Sequence, residues 1–444
     1  MATDVTILFA DRWPGEPGWT LAGRLGRAGA RVEIVTEAPG TEEFIELDDE
    51  GRCVHRVSGR RSYLLRALGL VDAPGALAFA VRAIERCWEL SGLWDRRIRH
   101  VETASARLPG SLVRLLLTRE NLPPPAGEGR AEGRRAPSSG TVQGADVILC
   151  SYRRLPELSV ALRSVTREIA RARARGIDCG VTVVHQEQDL PARIAAGGGV
   201  GDVRFVFSSP PSLTRARNDG LAATSRDLVV FVDDDVVLGR GFLAAHLAAA
   251  NRWPAAAGVA GRIRSRSERG KLTRRLAVGQ IRASGVIETN YDSLSRGRTL
   301  VAQTPMGTNM AFKRRLVNAL LGPRWFDERL SSSAFREESL LSVELFRRGA
   351  YLVYEPRAAL YHFESLRGGC ESRAPRRPLE ARARHLGLDY HFVRRLHQDS
   401  PFGPLAALLL AARDLRDVPT ARILAAKLYL NARGWWLGRR LAPG

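Results

Sequence analysis

The chain has almost no lysine. Of its 68 basic residues only Lys271, Lys313 and Lys427 are lysine, so arginine carries the net charge of +21, a skew that coding bias toward arginine can produce as readily as selection for a polyanion. Zinc-finger spacing, an aromatic RNA-binding signature and a convincing helix-turn-helix are all missing, which argues against nucleic acid as a partner. A basic surface still attracts phosphorylated ligands and anionic lipid. The five cysteines, Cys53, Cys87, Cys150, Cys179 and Cys370, are odd in number, scattered and without a CxxC pair. That argues against a disulfide framework or a structural zinc site, and suits a reducing, cytoplasmic compartment. The opening MATDVTILFADRWPGEPG lacks the basic start and long apolar stretch of a secretory signal. A membrane-spanning helix needs about 18 apolar residues in a row, and the longest candidate, residues 405–412, is far shorter. No GxGxxG follows the first apolar strand, so a dinucleotide site is not expected there.

What is present is alternation. A 444-residue chain with 45% apolar residues has a sizeable core and predicts two or three domains at roughly 100–200 residues each. Residues 3–10, 31–36 and 98–102 read as strands, and 19–30 and 63–92 as helices. Strand-helix-strand order implies a parallel sheet with helices on its faces, giving a Rossmann-like domain over residues 1–122. Residues 123–144, PPPAGEGRAEGRRAPSSGTVQG, have almost nothing to bury and read as a flexible linker. A second α/β domain follows over 145–371, with strands at 146–150, 179–184, 203–207, 228–232 and 351–354 and helices at 158–176, 213–224, 242–250 and 340–348. Within it GGGVG at 197–201 reads as a loop, not a phosphate cradle. Residues 372–444 read as a basic helical extension, carrying 14 basic and 5 acidic residues from Arg373 onward. Those helices either cover a core or rest on an anionic membrane surface, with arginines beside Trp435 and Trp436 at the interface.

The apolar run 228–232 leads straight into Asp233-Asp234-Asp235. In open α/β sheets ligands bind outside the carboxyl ends of the strands. Adjacent carboxylates repel unless solvated or neutralised; carboxylate oxygens suit Mg2+ or Mn2+, and such an ion usually keeps only one or two protein carboxylates and completes its shell with substrate phosphate. The bland reading is an acidic turn capping the next helix. Just upstream, Arg215 and Arg217 lie two apart and could both reach a diphosphate or a ribose, while Asn218 and Gly220 allow a tight approach at a nucleotide.

This stretch resembles the family 2 glycosyltransferases, enzymes of GT-A fold that use nucleotide sugars. The family's ARN-G helix, apolar strand and DxD motif are matched by Ala216-Arg217-Asn218, Gly220 and Asp233-Asp234-Asp235. The resemblance covers residues 145–369, about half of the chain. Its opening strand, VILCSYRR, resembles the family's first strand and implies that Ser151 and Tyr152 lie beside the base. The second, VTVVHQEQD, has His185 where the family has an acidic residue, which leaves Glu187 or Asp189 for the base contact. TPMGTNMAFKRR resembles the segment before the acceptor site and brings in Gly307 and Asn309. In Phe335-Arg336-Glu337-Glu338 the paired acids stand at the family's Glu-Asp motif, with Gly349, Pro356 and His362 holding the register. Residues 18–36 resemble the opening of the acceptor-side domain of GT-B glycosyltransferases, without its donor-binding half.

The resemblance implies an α/β GT-A nucleotide-diphospho-sugar transferase with a Rossmann-like accessory domain and a helical C-terminal extension. The implied reaction moves a sugar with inversion from a nucleoside-diphosphate donor to the hydroxyl of a glycan, lipid-linked or natural-product acceptor. The base is Glu338, or Glu337; a carboxylate in reach of the hydroxyl typically contributes 10²–10⁴-fold. Ser151, Tyr152, Glu187, Arg217, Asn218, Asp233, Asp234, Gly307 and Asn309 are implied to bind the nucleotide sugar, Asp233 facing the nucleoside. Asp235, with Asp233 and His362, would hold Mn2+ or Mg2+, a Lewis acid for the leaving diphosphate. Membrane contact at the inner face fits a lipid-linked acceptor. Two alternatives stay open: a sugar-phosphate nucleotidyltransferase, for which Arg153 and Arg154 follow the first strand but the required glycines are absent, and a non-catalytic polyanion- or membrane-binding protein with a degenerate site.

Overall fold

A computed structural model of the chain describes residues 3–9, 31–38, 42–62, 75–92, 96–103, 140–196, 202–265, 274–330, 334–365, 378–398, 406–408, 410–411 and 421–441. The helix expected at 19–30, the GGGVG loop, Cys370 and most of the expected linker lie outside them.

The first region supplies strands β1 (Thr3–Phe9), β2 (Val32–Glu37), β3 (Phe44–Leu47) and β4 (Cys53–Val57), helix α1 (Gly75–Gly92) and strand β5 (Arg96–Thr103). The second region begins at β6 (Gly144–Ser151) and runs through α2 (Leu155–Arg173), β7 (Asp178–His185), α3 (Leu190–Ala196), β8 (Arg204–Phe207), α4 (Leu213–Ala222), β9 (Leu228–Val232), β10 (Val236–Leu238), α5 (Phe242–Arg252) and β11 (Ala256–Ser265). A small hairpin, β12 (Gln280–Ile281) with β13 (Ile287–Glu288), precedes β14 (Thr299–Ala302), β15 (Asn309–Lys313), α6 (Arg314–Leu321), α7 (Glu337–Arg347) and β16 (Tyr351–His362). Two long helices, α8 (Pro378–Leu396) and α9 (Ala421–Arg440), follow.

Among the described residues fourteen strands share one sheet, in the order β5-β1-β2-β4-β3-β14-β16-β11-β15-β9-β6-β7-β8, with β10 on β16. Strands β9, β6, β7 and β8 are mutually parallel. Every residue of β9, LVVFV, is buried, as a strand covered on both faces requires. Helix α2 buries Leu158, Ala161, Leu162, Val165, Ile169 and Ala172, the 3–4 spacing of one helical stripe. Helix α4 lies so close to the sheet that a Cβ at Gly220 would meet the Ile148 side chain at 2.7 Å. Gly220 therefore serves helix–sheet packing, not the approach of a nucleotide that its sequence context suggested.

The two regions meet through a ladder: β3 pairs antiparallel with β14, Ile45 opposite Val301 and Leu47 opposite Thr299. Ion pairs flank it, Glu43 to Arg282 at 3.0 Å and Glu46 to Arg298 at 2.7 Å. Val142, placed by composition in the linker, is buried and exchanges backbone hydrogen bonds with the Asn251 side chain.

Candidate active site

Parallel strands β9, β6 and β7 end at one edge of the sheet, with Leu149 opposite Val232 and Ser151 opposite His185. The three aspartates leave the middle of that edge, where the strand's ligand-facing end is expected. Their environments differ. Asp234 is buried; it accepts from Ser151 Oγ at 2.7 Å and from Arg154 Nη1 at 2.9 Å. Burial pushes its carboxyl up to about 7 against the pull of Arg154 and Ser151.

Asp235 is also buried and accepts from the Ser365 backbone N–H at 2.9 Å and from Arg154 at 3.3 Å. Its Oδ1 lies 3.1 Å from His362 Nε2. Burial acts to raise its pKa, but the hydrogen bond and charge of His362, with Arg154 and the Ser365 N–H, reverse this and hold it below the ordinary value. His362 responds in kind: burial acts to lower its pKa, and Asp235, with Asp233 and Glu364 further off, leaves it raised. Asp233 is half-buried, takes a 2.8 Å hydrogen bond from Thr308 and has Arg217 at 3.8 Å. One ligand atom from each of Asp233, Asp235 and His362 falls within 4.8 Å of the others. Two carboxylates and an imidazole gathered so closely suit a divalent ion with open positions for phosphate oxygen.

His362 arrives because β16 is longer than its sequence pattern suggested, running past Tyr354 to pair with β10; Val236 stands opposite His362. Phe363 N–H then bonds Asp235 O, and the Ser365 hydroxyl bonds Glu157, so the segment after β16 wraps the aspartates.

Arg217 joins this cluster to the second pair of acids. It is buried, its guanidinium lies over Phe326 at 5.4 Å and Phe231 at 5.8 Å, it donates to Gly307 O at 3.2 Å, and it ion-pairs with Glu337. A Cβ at Gly307 would crowd that guanidinium at 2.8 Å. Glu337 and Glu338 open α7. Glu338 keeps part of its surface accessible. Burial raises its pKa, Arg217 and Arg336 oppose that rise, and Asp233 adds to it.

The remaining candidates take other places. Asn218 donates to Phe326 O and Glu328, both at 2.9 Å, and its carbonyl accepts from the Trp325 and Phe326 N–H groups. All four amide positions are used, so Asn218 anchors the 325–328 segment and has nothing left for a nucleotide. Asn309 is fully buried; it donates to Arg262 O and Ala358 O and bonds His246. It ties three strands together and offers no group to a ligand. Glu187 accepts from the Arg153 backbone N–H at 2.7 Å and pairs with Arg193 at 3.2 Å, while His185 bonds Glu187 O at 2.6 Å. The ends of β6 and β7 are thereby stitched into one rim, with Tyr152 under the Arg153 guanidinium at 4.9 Å. Asp189, the other candidate for the base contact, lies 3.7 Å from Arg193.

Sequence reasoning missed Arg154, Thr308 and Ser365 as partners of the aspartates. Arg154 carried a signal, a cation directly after the first strand. Thr308 and Ser365 carried none, since their neighbours lie 75 and 130 residues away in the chain.

Residues 144–386 match the model of the glycosyltransferase-like family 2. The chain belongs to that family, and the domain beginning at β6 has its GT-A-type α/β architecture. No curated protein matches the chain. Among solved structures it is similar to GalNAc-T7 with UDP, GalNAc and Mn2+, at 12% identity over 66% of this chain and 55% of that one, TM-score 0.44. It is also similar to the mannosyltransferase PcManGT from Pyrobaculum calidifontis in complex with GDP-Man and Mn2+, at 18% identity over 67% and 84%, TM-score 0.36. A mycobacterial protein matches at 17% identity over 58% and 74%, TM-score 0.36. The chain spans about half the length of the first of these. The family match starts at residue 144, so the resemblance of residues 18–36 to a GT-B half gains no support from it.

Proposed function

We propose that the protein is an inverting, metal-dependent glycosyltransferase that moves a sugar from a nucleoside diphosphate to an acceptor hydroxyl. The observation that carries this reading is Arg217, which pairs with Glu337 while lying 3.8 Å from Asp233. One buried side chain thus spans the carboxylate–histidine cluster and the carboxylates opening α7, leaving donor and acceptor chemistry a single side-chain length apart.

In this reading Asp233, Asp235 and His362 hold Mn2+ or Mg2+, which when bound offsets the charge developing on the leaving diphosphate. Arg217 adds fixed positive charge beside the same group. Ser151 and Arg154 hold Asp234, and through it the strand end, in place. The β6–β7 rim, with Tyr152 and the Glu187 region, is where the nucleoside would lie. Glu338 takes the proton from the acceptor hydroxyl, a task suited to a carboxyl whose pKa is raised toward working pH. Inversion follows from a single displacement in which hydroxyl and diphosphate occupy opposite faces of the sugar.

Strands β1 to β5 with α1 form an accessory unit, and α8 and α9 a helical extension. No described helix is long and apolar enough to cross a membrane. The outer face of α9 nevertheless exposes Leu428, Tyr429, Trp435 and Trp436, with Arg439 and Arg440 stacked on the two indoles at 4.7 and 3.7 Å. Such a face supports contact with an anionic lipid surface and a lipid-linked acceptor.

The test is a panel of UDP-, GDP- and dTDP-sugars with Mn2+ or Mg2+, read by mass spectrometry as nucleoside diphosphate released. Transfer should fall by about 10²–10⁴-fold in Glu338→Gln. Pyrophosphate release would instead identify a nucleotidyltransferase, and unchanged turnover in Glu338→Gln would remove it as the base.

A further inference from the structure

The turn that delivers the two carboxylates is strained. Ala334 and Arg336 both have positive φ, 49° and 77°, a backbone that costs a residue with a Cβ roughly 1–2 kcal/mol. Arg336 is the residue immediately before α7, and its carbonyl accepts the Leu340 N–H. Its backbone angles therefore set the direction in which Glu337 and Glu338 leave the turn. Such a conformation persists only where surrounding contacts over-determine it.

Those contacts come from the C-terminal extension. Asp389, on α8, accepts from Arg336 Nε at 2.9 Å and lies 2.8 Å from its Nη2. The same guanidinium lies 5.0 Å over the Phe392 ring, one helical turn along. Both charged side chains are largely buried, so water competes weakly for the pair. Further along, Arg395 pairs with Glu344 at 2.6 Å and Arg347 donates to Leu396 O at 3.1 Å, so α8 is fastened along the length of α7.

We propose that Asp389 is a positioning residue: it locks Arg336 in the left-handed turn and so aims the α7 carboxylates at the acceptor. This assigns the C-terminal extension a part in the reaction, and it rests on the preceding assignment of the base to Glu338. Arg217, Arg336 and Asp233 bear on Glu338, Glu337 precedes it in the first turn of α7, and Glu338 in turn helps to raise the Tyr291 pKa. Only Arg336 among them is held by α8.

The experiment compares Asp389→Asn, Asp389→Glu and Arg336→Gly by kcat, donor KM, melting temperature and the acid limb of the pH profile. Asp389→Asn should lose about ten- to a hundredfold in kcat, the scale of a sub-ångström to 1 Å misaim, with donor KM unchanged because the metal cluster is untouched. Asp389→Glu should recover part of that loss. Glycine takes positive φ without a Cβ penalty, so Arg336→Gly should keep the turn and most of kcat, and adding Asp389→Asn to it should change nothing further. Its acid limb should move to higher pH, because the charge that lowers the Glu338 pKa is gone. Glu338→Gln, run alongside, separates the two failures: full activity there sinks the base assignment, while full kcat in Asp389→Asn, or additive losses in the double variant, sinks the clamp.

Discussion

Asp235→Asn separates a metal site from an acidic turn without any knowledge of the sugar. The amide keeps an oxygen for the Ser365 N–H, now bonded at 2.9 Å, and loses the charge that pairs with His362 at 3.1 Å and Arg154 at 3.3 Å. A hydrogen bond to a charged group contributes about 1.5–3 kcal/mol, and relief of repulsion from Asp233 and Asp234 offsets part of that loss. A net destabilisation of about 1–2 kcal/mol follows in the metal-free protein, a fall of roughly 2–8 °C in melting temperature for a domain of this size. The larger signal is the response to metal. A ligand at about a hundred times its dissociation constant stabilises the folded state by about 2.7 kcal/mol, roughly 5–10 °C here. Melts of both proteins in chelator, then in Mn2+ with and without a nucleoside diphosphate, supply the comparison. The wild type should shift and the variant should not. An undiminished Mn2+ shift in Asp235→Asn would refute the ligand assignment, and the absence of any shift in the wild type would reduce the triplet to an acidic turn.

Two other expectations are read without turnover. His246 is fully buried against Asn309, and burial lowers its pKa from 6.5 to about 4. Its folded value lies below its unfolded one, so its stabilising effect is complete above pH 6.5 and is lost as the pH falls toward 4; urea melts should show a loss of about 2 kcal/mol between pH 7 and pH 5. His246→Gln, which can still donate to Asn309, should flatten that slope, and an unchanged slope would move the acid sensitivity elsewhere. Replacing Trp435 and Trp436 with alanine should abolish co-sedimentation with vesicles containing anionic lipid and leave the melting temperature within about 2 °C, since exposed side chains contribute little to stability; wild-type protein that ignores such vesicles would remove the membrane from the account.

Much of the family 2 domain was legible because its signals are local. Five consecutive apolar residues in β9 followed by three acids state both the strand and the edge at which it ends. The α7–β16 stretch was legible for the same reason, with a helix period and a strand run separated by Gly349 at φ 80°. Strand β11 was not. Its glycines at 258 and 261 weaken a strand pattern, yet the fold requires them: a Cβ at Gly258 would overlap the Ala311 carbonyl, and one at Gly261 the Asn309 amide. Strands β3 and β14 are four residues each, too short for a period to register, and only their pairing makes them strands. Asn218 and Asn309 show the converse error. A motif identifies a residue without saying which of its neighbours consumes its hydrogen bonds, and here the loop at 325–328 and the carbonyls of Arg262 and Ala358 do so.

The same short strands decide how the first region relates to the site. A unit tethered only by a flexible segment would take many positions. Here the position is set by the β3–β14 ladder and by Glu42, Glu43 and Glu46. Glu42 accepts the Leu276 and Ala277 N–H groups at 3.0 Å each, Glu43 pairs with Arg282, and Glu46 with Arg298. All of these partners lie between β11 and β15. That same span contains Tyr291, whose phenol bonds Thr304 O at 2.6 Å, and Thr304 in turn bonds Ser339 on α7, one residue beyond Glu338. The first region therefore grips the segment that leads through Tyr291 and Thr304 to α7, and it does so through the β3–β14 ladder and buried or half-buried ion pairs. Glu43 also pairs with Arg82, while Arg282 keeps Glu288 as a second partner, so a loss at Glu43 should loosen the hold on residues 276–298 before it disturbs the distant carboxylate–histidine cluster.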